Sequence, residues 1–230
     1  AACSTPHGPR LAGCGVAGRV LMCTLPREQT SPLTWQYLPS GEGATERMAV
    51  VALHWVNDDH LLLVGAAGPG SLELRAQVVA AATAETVAQA SLPQRASLLC
   101  SCVVAAPDGA RLITCADDPT LGVLIVCITA LQTGGGVGGA VSFDPLHFFR
   151  LPPGSSPPTA VTAAMERERA LLELLFVCPE DGCYLVHLSK HASTSSPPYR
   201  RLLSIPEVDR VLCHSTPGTA WLLGPTGVCL

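Results

Sequence analysis

Charge is scarce in this sequence. Only 14% of the 230 residues are Asp, Glu, Lys or Arg, against about 25% in an ordinary soluble domain. The 14 basic and 18 acidic residues leave a formal net charge of −4. Arg is scattered and forms no stripe, so the electrostatic footprint of a general nucleic-acid binder is missing. Aromatic residues are few, at 4%. Long apolar runs are missing as well. The longest, Leu121–Leu131 and Ala170–Cys178, fall well short of the ~20 residues a membrane helix needs. The opening AACSTPHGPR carries neither an initiator Met nor an apolar stretch behind a basic flank. It does not read as a signal peptide, and it fits a processed chain or an excised piece.

What the sequence does hold is apolar and punctuated. The hydrophobic share is 48%, too high for a disordered chain. A chain of this length can bury a large core without staples. There are 21 Gly, 20 Pro and 11 Cys. Most of the cysteines sit inside apolar runs, as Cys23 in VLMCTL, Cys127 in VLIVCIT and Cys178 in LLFVC. A free Cys in such a place behaves as a small apolar residue. We therefore expect reduced core thiols in an intracellular protein, cytoplasmic or nuclear. Disulfide frameworks belong mainly to shorter secreted chains.

The apolar segments are short, β-branched and separated by turn residues. Leu98–Val104 leads to the turn Pro107-Asp108-Gly109, then Arg111–Ala116, then a turn at Asp117-Asp118-Pro119, then Gly122–Leu131. Strand, tight turn, strand, turn, strand is an antiparallel meander. The same grammar runs from Met48–Val56 through His60–Gly65 to Ser71–Val79, and from Ala170–Cys178 to Cys183–Ser189. It also appears at Arg10–Gly15 and Arg19–Leu25, and again at Val208–His214, Thr219–Leu223 and Val228–Leu230. Glycines open the third strand of each unit at Gly18, Gly70, Gly122, Gly182 and Gly227, with spacings of 52, 52, 60 and 45 residues. Strand units repeating at about 40–50 residues are the signature of a propeller blade. The longest interval carries two loop-like inserts, Gly134–Ala140 and Pro152–Pro158.

On these residues the chain resembles the WD-repeat β-propeller family. Cys100–Thr129 (CSCVVAAPDGARLITCADDPTLGVLIVCIT) follows the family's wording of strand, Pro-Asp-Gly turn, strand, turn and strand; Ala52–Ala76 follows it next best. The family's Gly-His and Trp-Asp pairs are absent, and the Trp-Asp positions hold Cys23-Thr24, Arg75-Ala76, Cys127-Ile128 and His187-Leu188. The resemblance implies an all-β propeller of four-stranded antiparallel blades. Approximate repeats would be 1–47, 48–95, 96–158, 159–204 and a partial 205–230. The stop three residues after Gly227 leads us to expect a fragment of a larger propeller of six to eight blades.

Two segments could instead be helical. Ala76–Leu92 is Ala-rich, and Ala is the best helix former. Its helical face would be a poor apolar stripe, so we expect strand plus loop. Thr159–Leu175 has a Thr cap and a Glu-Arg-Glu-Arg run, but the repeat register favours two strands around a turn at Glu166–Arg169.

The candidate chemistry is thin. Gly65–Gly70 follows a strand, but a strand and not a helix comes next, and Pro69 removes an N–H donor. Gly134–Gly139 has no Lys-Ser/Thr after it. Neither reads as a nucleotide loop. Cys178, Cys183, His187 and His191 place four ligand types close together. Their spacing fits no standard zinc module, so ordinary strand residues are expected there, with zinc or a Cys178–Cys183 disulfide as lesser readings. Cys100 and Cys102, with Cys115 across the next turn, are expected to be core neighbours. No Gly-x-Ser-x-Gly elbow is present. Asp58-Asp59 and Asp117-Asp118 lie at turns, where Asp bonds the backbone. No catalytic residue, metal or cofactor is assigned.

The resemblance therefore implies a non-catalytic platform for other protein subunits within an intracellular assembly, with no direct nucleic-acid contact. The competing readings are a hydrolase or other enzyme on a propeller, and a secreted disulfide-bonded β-domain that binds a ligand. Trp35, Trp55 and Trp221 are expected to pack in the core. The mean hydropathy is +0.35, and open sheet edges pair with other chains, so association or aggregation of the isolated chain is expected.

Overall fold

The computed structural model describes residues 2–5, 8–14, 20–24, 34–37, 48–83, 85–133, 141–166, 171–178, 180–189, 199–202, 210–216, 219–224 and 227–229; at 2–5, 8–9, 14, 24, 34, 36–37 and 133, and beyond Leu188, it describes the backbone path alone. Every regular element among the described residues is a strand. The first sheet holds β1 (Ala2–Thr5), β2 (Gly8–Cys14), β3 (Val20–Thr24) and β4 (Thr34–Tyr37). The second holds β5 (Ala49–Trp55), β6 (His60–Ala66), β7 (Glu73–Ala80) and β8 (Thr86–Arg95). The third holds β9 (Ser97–Ala106), β10 (Gly109–Asp118), β11 (Val123–Thr133) and β12 (Val141–Arg150). The fourth holds β13 (Ala160–Glu166), β14 (Leu171–Cys178), β15 (Gly182–Ser189) and β16 (Tyr199–Leu202). The fifth holds β17 (Arg210–Thr216), β18 (Thr219–Gly224) and β19 (Gly227–Cys229). In each sheet the strands follow chain order, and the pairings given by register are antiparallel.

The burial pattern explains why the second strands read as continuous apolar runs. All of β14 except Leu171 is buried, and β6 and β10 are buried through their centres. A strand covered on both faces has no wet side to require alternation. The fourth strands differ: β8 is largely wet, and β12 buries only Phe149. The second and third sheets thus have a wet outer edge and a covered middle.

The chain forms two compact units. One comprises Ala1–Arg95 and Thr133–Ser142, the other Ala96–Gln132 and Phe143–Leu230. In the first, Ala12, Val20 and Met22 of the first sheet pack with Leu61, Leu63 and Val79 of the second. In the second, Ile113, Cys115, Val126 and Ile128 of the third sheet pack against Leu172, Leu174, Phe176 and Cys178 of the fourth. Sheet faces stacked in this way sit about 10 Å apart.

The turns account for the glycine spacing. Gly70, Gly122 and Gly182 have φ of 76°, 60° and 88°, and each lies at the turn into the third strand of its sheet. L-residues with a side chain rarely adopt that conformation. Gly227 opens β19, and Gly18 lies outside the described residues. Asp117 and Asp118, expected in a turn, are the last residues of β10. The turn is carried from Asp118 instead: its Oδ1 accepts from the amides of Thr120 and Leu121, and its carbonyl accepts from Gly122 N–H.

Both helix candidates are strands. Ala76–Leu92 forms the end of β7, a turn after Ala80, and most of β8. Thr159–Leu175 forms β13 and the start of β14, and residues 167–170 between them lie outside the described residues. The insert 134–140 does too. The second insert, Pro152–Pro158, is tied down. Ser155 donates through N–H and Oγ–H to the Pro152 carbonyl, and Ser156 N–H donates to the Asp181 carboxylate. One tryptophan corrects the core expectation: Trp35 is 51% exposed on β4. Among the described strands, β4 is an edge strand that pairs with β3 alone. Trp55 packs against the first unit's core, and the Trp221 side chain lies outside the described residues.

Candidate functional site

The hairpin loop after β6 closes on itself through two of its amides. Ala67 N–H donates to Glu73 O at 2.8 Å, and Ser71 N–H to Gly68 O at 3.0 Å. Two of the loop's donors are thereby used, and β7 follows where a nucleotide site needs a helix N-terminus. The backbone of the acidic pair at the β5–β6 turn is held as well. Asp59 N–H donates to Asn57 Oδ1, and the Asp58 carbonyl accepts from Arg10 Nη1 at 2.7 Å.

The fourth sheet separates the Cys/His cluster that the sequence places within 14 residues. Cys178 pairs in register with Gly182, and Cys183 with Val177. Neighbours along a strand point to opposite faces. Cys178 therefore shares the face of Phe176 and Leu174 in the second unit's core, while Cys183 lies on the face of Val177 and His187. Both thiols are free, and the opposed faces count against a bond between them. His191 lies outside the described residues. Among the described residues no group of three or more His, Cys, Asp or Glu is arranged to hold a metal ion.

His187 has a partner that sequence reasoning missed. It stands opposite Glu173 in the β14–β15 register, and Nε2 lies 2.7 Å from Glu173 Oε2. The Glu173 side chain is buried and the His187 side chain half-exposed. A carboxylate inside LLELLF is the available signal, since Glu is almost never buried unless paired. The partner could be found only from the pairing register.

Cys100 and Cys115 are direct register partners across β9 and β10, and their thiols hydrogen-bond to each other. Cys178 of the neighbouring sheet lies close to both. The bond to Cys100 and then burial push the Cys115 thiol well above its ordinary value; burial first pushes Cys178 up to about 12. Burial likewise raises Cys102, Cys127 and Cys183. Thiols held protonated are poor nucleophiles at neutral pH.

Large apolar side chains stand exposed on three edge strands: Trp35 on β4, Val51 on β5 and, on β12, Leu146 at 46% and Phe148 at 49% exposure. Leu146 and Phe148 are two apart and share a strand face.

No protein-family model matches the chain, and no curated protein matches its sequence. Solved structures do. The chain is similar to the β-propeller domain of Myceliophteria thermophila Cps50 (Swd1), with 14% identity, a TM-score of 0.59, and coverage of 97% of this chain and 65% of that one. The fold is a β-propeller. The propeller also matches hydrazine synthase of Kuenenia stuttgartiensis, at 17% identity and a TM-score of 0.48, over 84% of this chain and 55% of that one. The chain thus spans less than two thirds of the length of either protein. Among the described residues of the propeller, no helix is long and apolar enough to cross a membrane.

Proposed function

We propose that the chain is a non-catalytic platform for protein–protein interaction within a larger intracellular assembly. Each sheet would be one blade, with repeats near 1–47, 48–95, 96–158, 159–204 and 205–230. The observation that carries this reading is the apolar pair on β12. Leu146 and Phe148 are both close to half exposed, in a sequence with few aromatics to spare. Exposed apolar and aromatic groups at a protein surface mark places where another protein is bound. The seven cysteines whose side chains are described are all free, which supports a reducing compartment, cytoplasmic or nuclear, over a secreted disulfide-bonded domain.

Site-specific photocrosslinking in cells tests the reading. A photoreactive residue at Phe148 should give discrete protein adducts, and the same residue at Asp58 should give none. Equal labelling at both positions, or none at Phe148 in a folded chain, would refute the platform reading.

A further inference from the structure

Two thiols of the third sheet are arranged for a reaction that the platform reading does not use. Cys100 on β9 stands directly opposite Cys115 on β10. Opposed residues of an antiparallel pair have Cα atoms about 4.5–5.5 Å apart, inside the roughly 4.4–6.8 Å window of a disulfide. Cys102 stands opposite Ile113 instead. Its diagonal to Cys115 is about 7–8 Å, near or beyond the limit at which a bridge needs backbone movement. The register also shifts at Cys115/Ala116, leaving Leu99 unpaired beside Cys100. A bulge of this kind loosens the ladder locally, giving the edge strand β9 room to adjust. Access is unequal: Cys115 is fully buried, and Cys100 is half-buried.

We propose that Cys100 and Cys115 form a reversible cross-strand disulfide, made by exchange with a low-molecular-weight disulfide such as oxidised glutathione. The Cys100 thiolate attacks one sulfur of the small disulfide, forming a mixed disulfide and expelling one small thiolate. The Cys115 thiolate then attacks the Cys100 sulfur, breaking the mixed disulfide and expelling the second small thiolate. Two protein thiols are oxidised, one small disulfide is reduced to two thiols, and the two protons lost by the cysteines are taken up by the two expelled thiolates. The second step is slow near neutral pH because Cys115 holds its proton, and it quickens as pH rises. Once closed, the bond staples β9 to β10.

The test incubates the full 230-residue chain, folded, in glutathione redox buffers. Thiols are then trapped, and peptides are mapped without reduction. The expected result is one linked pair, Cys100–Cys115, lost on adding dithiothreitol and formed faster at pH 8.5 than at pH 7. Amide exchange across Ser97–Ala106 should slow in the oxidised form. Cys100→Ser and Cys115→Ala should each abolish the link, while Cys102→Ser should keep it. Cys100→Ser guards against the case in which the buried Cys115 variant fails to fold. A chain that stays folded with both thiols trapped free in excess oxidised glutathione would overturn the proposal. So would a link that forms only in urea, or links spread evenly over the other cysteines. None of these readouts depends on a protein partner, so failure here leaves the platform reading to its own test.

Discussion

Glu173 and His187 show how much a single register pair can decide. A carboxylate buried on a middle strand costs free energy unless something answers its charge and its lone pairs. The 2.7 Å contact with His187 supplies part of that answer. His187→Ala should therefore destabilise the folded chain by on the order of 1–3 kcal/mol. Adding Glu173→Leu should recover part of the loss, because the desolvated carboxylate goes with it. Urea unfolding of the two variants and the wild type measures both numbers. His54 gives a second effect at this scale. Burial lowers its pKa from 6.5 to about 4. Between those values the unfolded chain binds a proton that the folded chain refuses, so stability is full above pH 6.5 and falls as pH drops toward 4. The loss is at most about 3 kcal/mol, reduced by whatever part of the ring keeps its water. Unfolding curves between pH 7 and pH 4.5 should show this slope, and His54→Leu should flatten it.

At the scale of the element, the β5–β6 pair is the most exacting. Gly65 stands opposite Val50, beside the register shift at Val50/Ala52. A Cβ built on Gly65 would lie 2.1 Å from the Ala49 carbonyl oxygen, whereas one on Gly68 meets nothing within 4 Å. The bulge brings the backbone of β5 so close that only hydrogen fits. Gly65→Ala must push two strands of the second sheet apart, and should cost on the order of 2–4 kcal/mol in the manner of an overpacked core. Gly68→Ala, three residues on, should change stability by less than about 1 kcal/mol. Thermal unfolding of the pair separates close approach from any general intolerance of the hairpin.

For the whole molecule, stacking of sheets explains why composition and pattern pointed the right way while several side chains did not. Apart from Glu173, the run LLELLFV is apolar on both faces because β14 is covered on both faces, and all but its first residue is buried. The same stacking leaves the fourth strands wet on their outer side, where Trp35 and Phe148 stand. Trp35 alternates with Leu33 and Tyr37 in sequence, as a core residue of a strand would. Its exposure follows from β4 being the last strand of its sheet, a fact that no local window contains.

By itself, the sequence determined the all-β class, the strand–turn grammar and the sites of the turn glycines. These depend on residues close in the chain: apolar runs of strand length, Asp and Pro at reversals, and Gly where φ must be positive. It also carried enough of the strand pattern to suggest a propeller. Only the tertiary structure decided which side chains meet. Alternation along β14 and β15 splits Cys178 from Cys183, although they are five residues apart. Antiparallel pairing joins Glu173 to His187 and Cys100 to Cys115, which are far apart in the chain. The reason is the two-residue period of a strand. Shifting the register by one residue sends every side chain to the other face, and that register is set by bulges, turns and the facing sheet together.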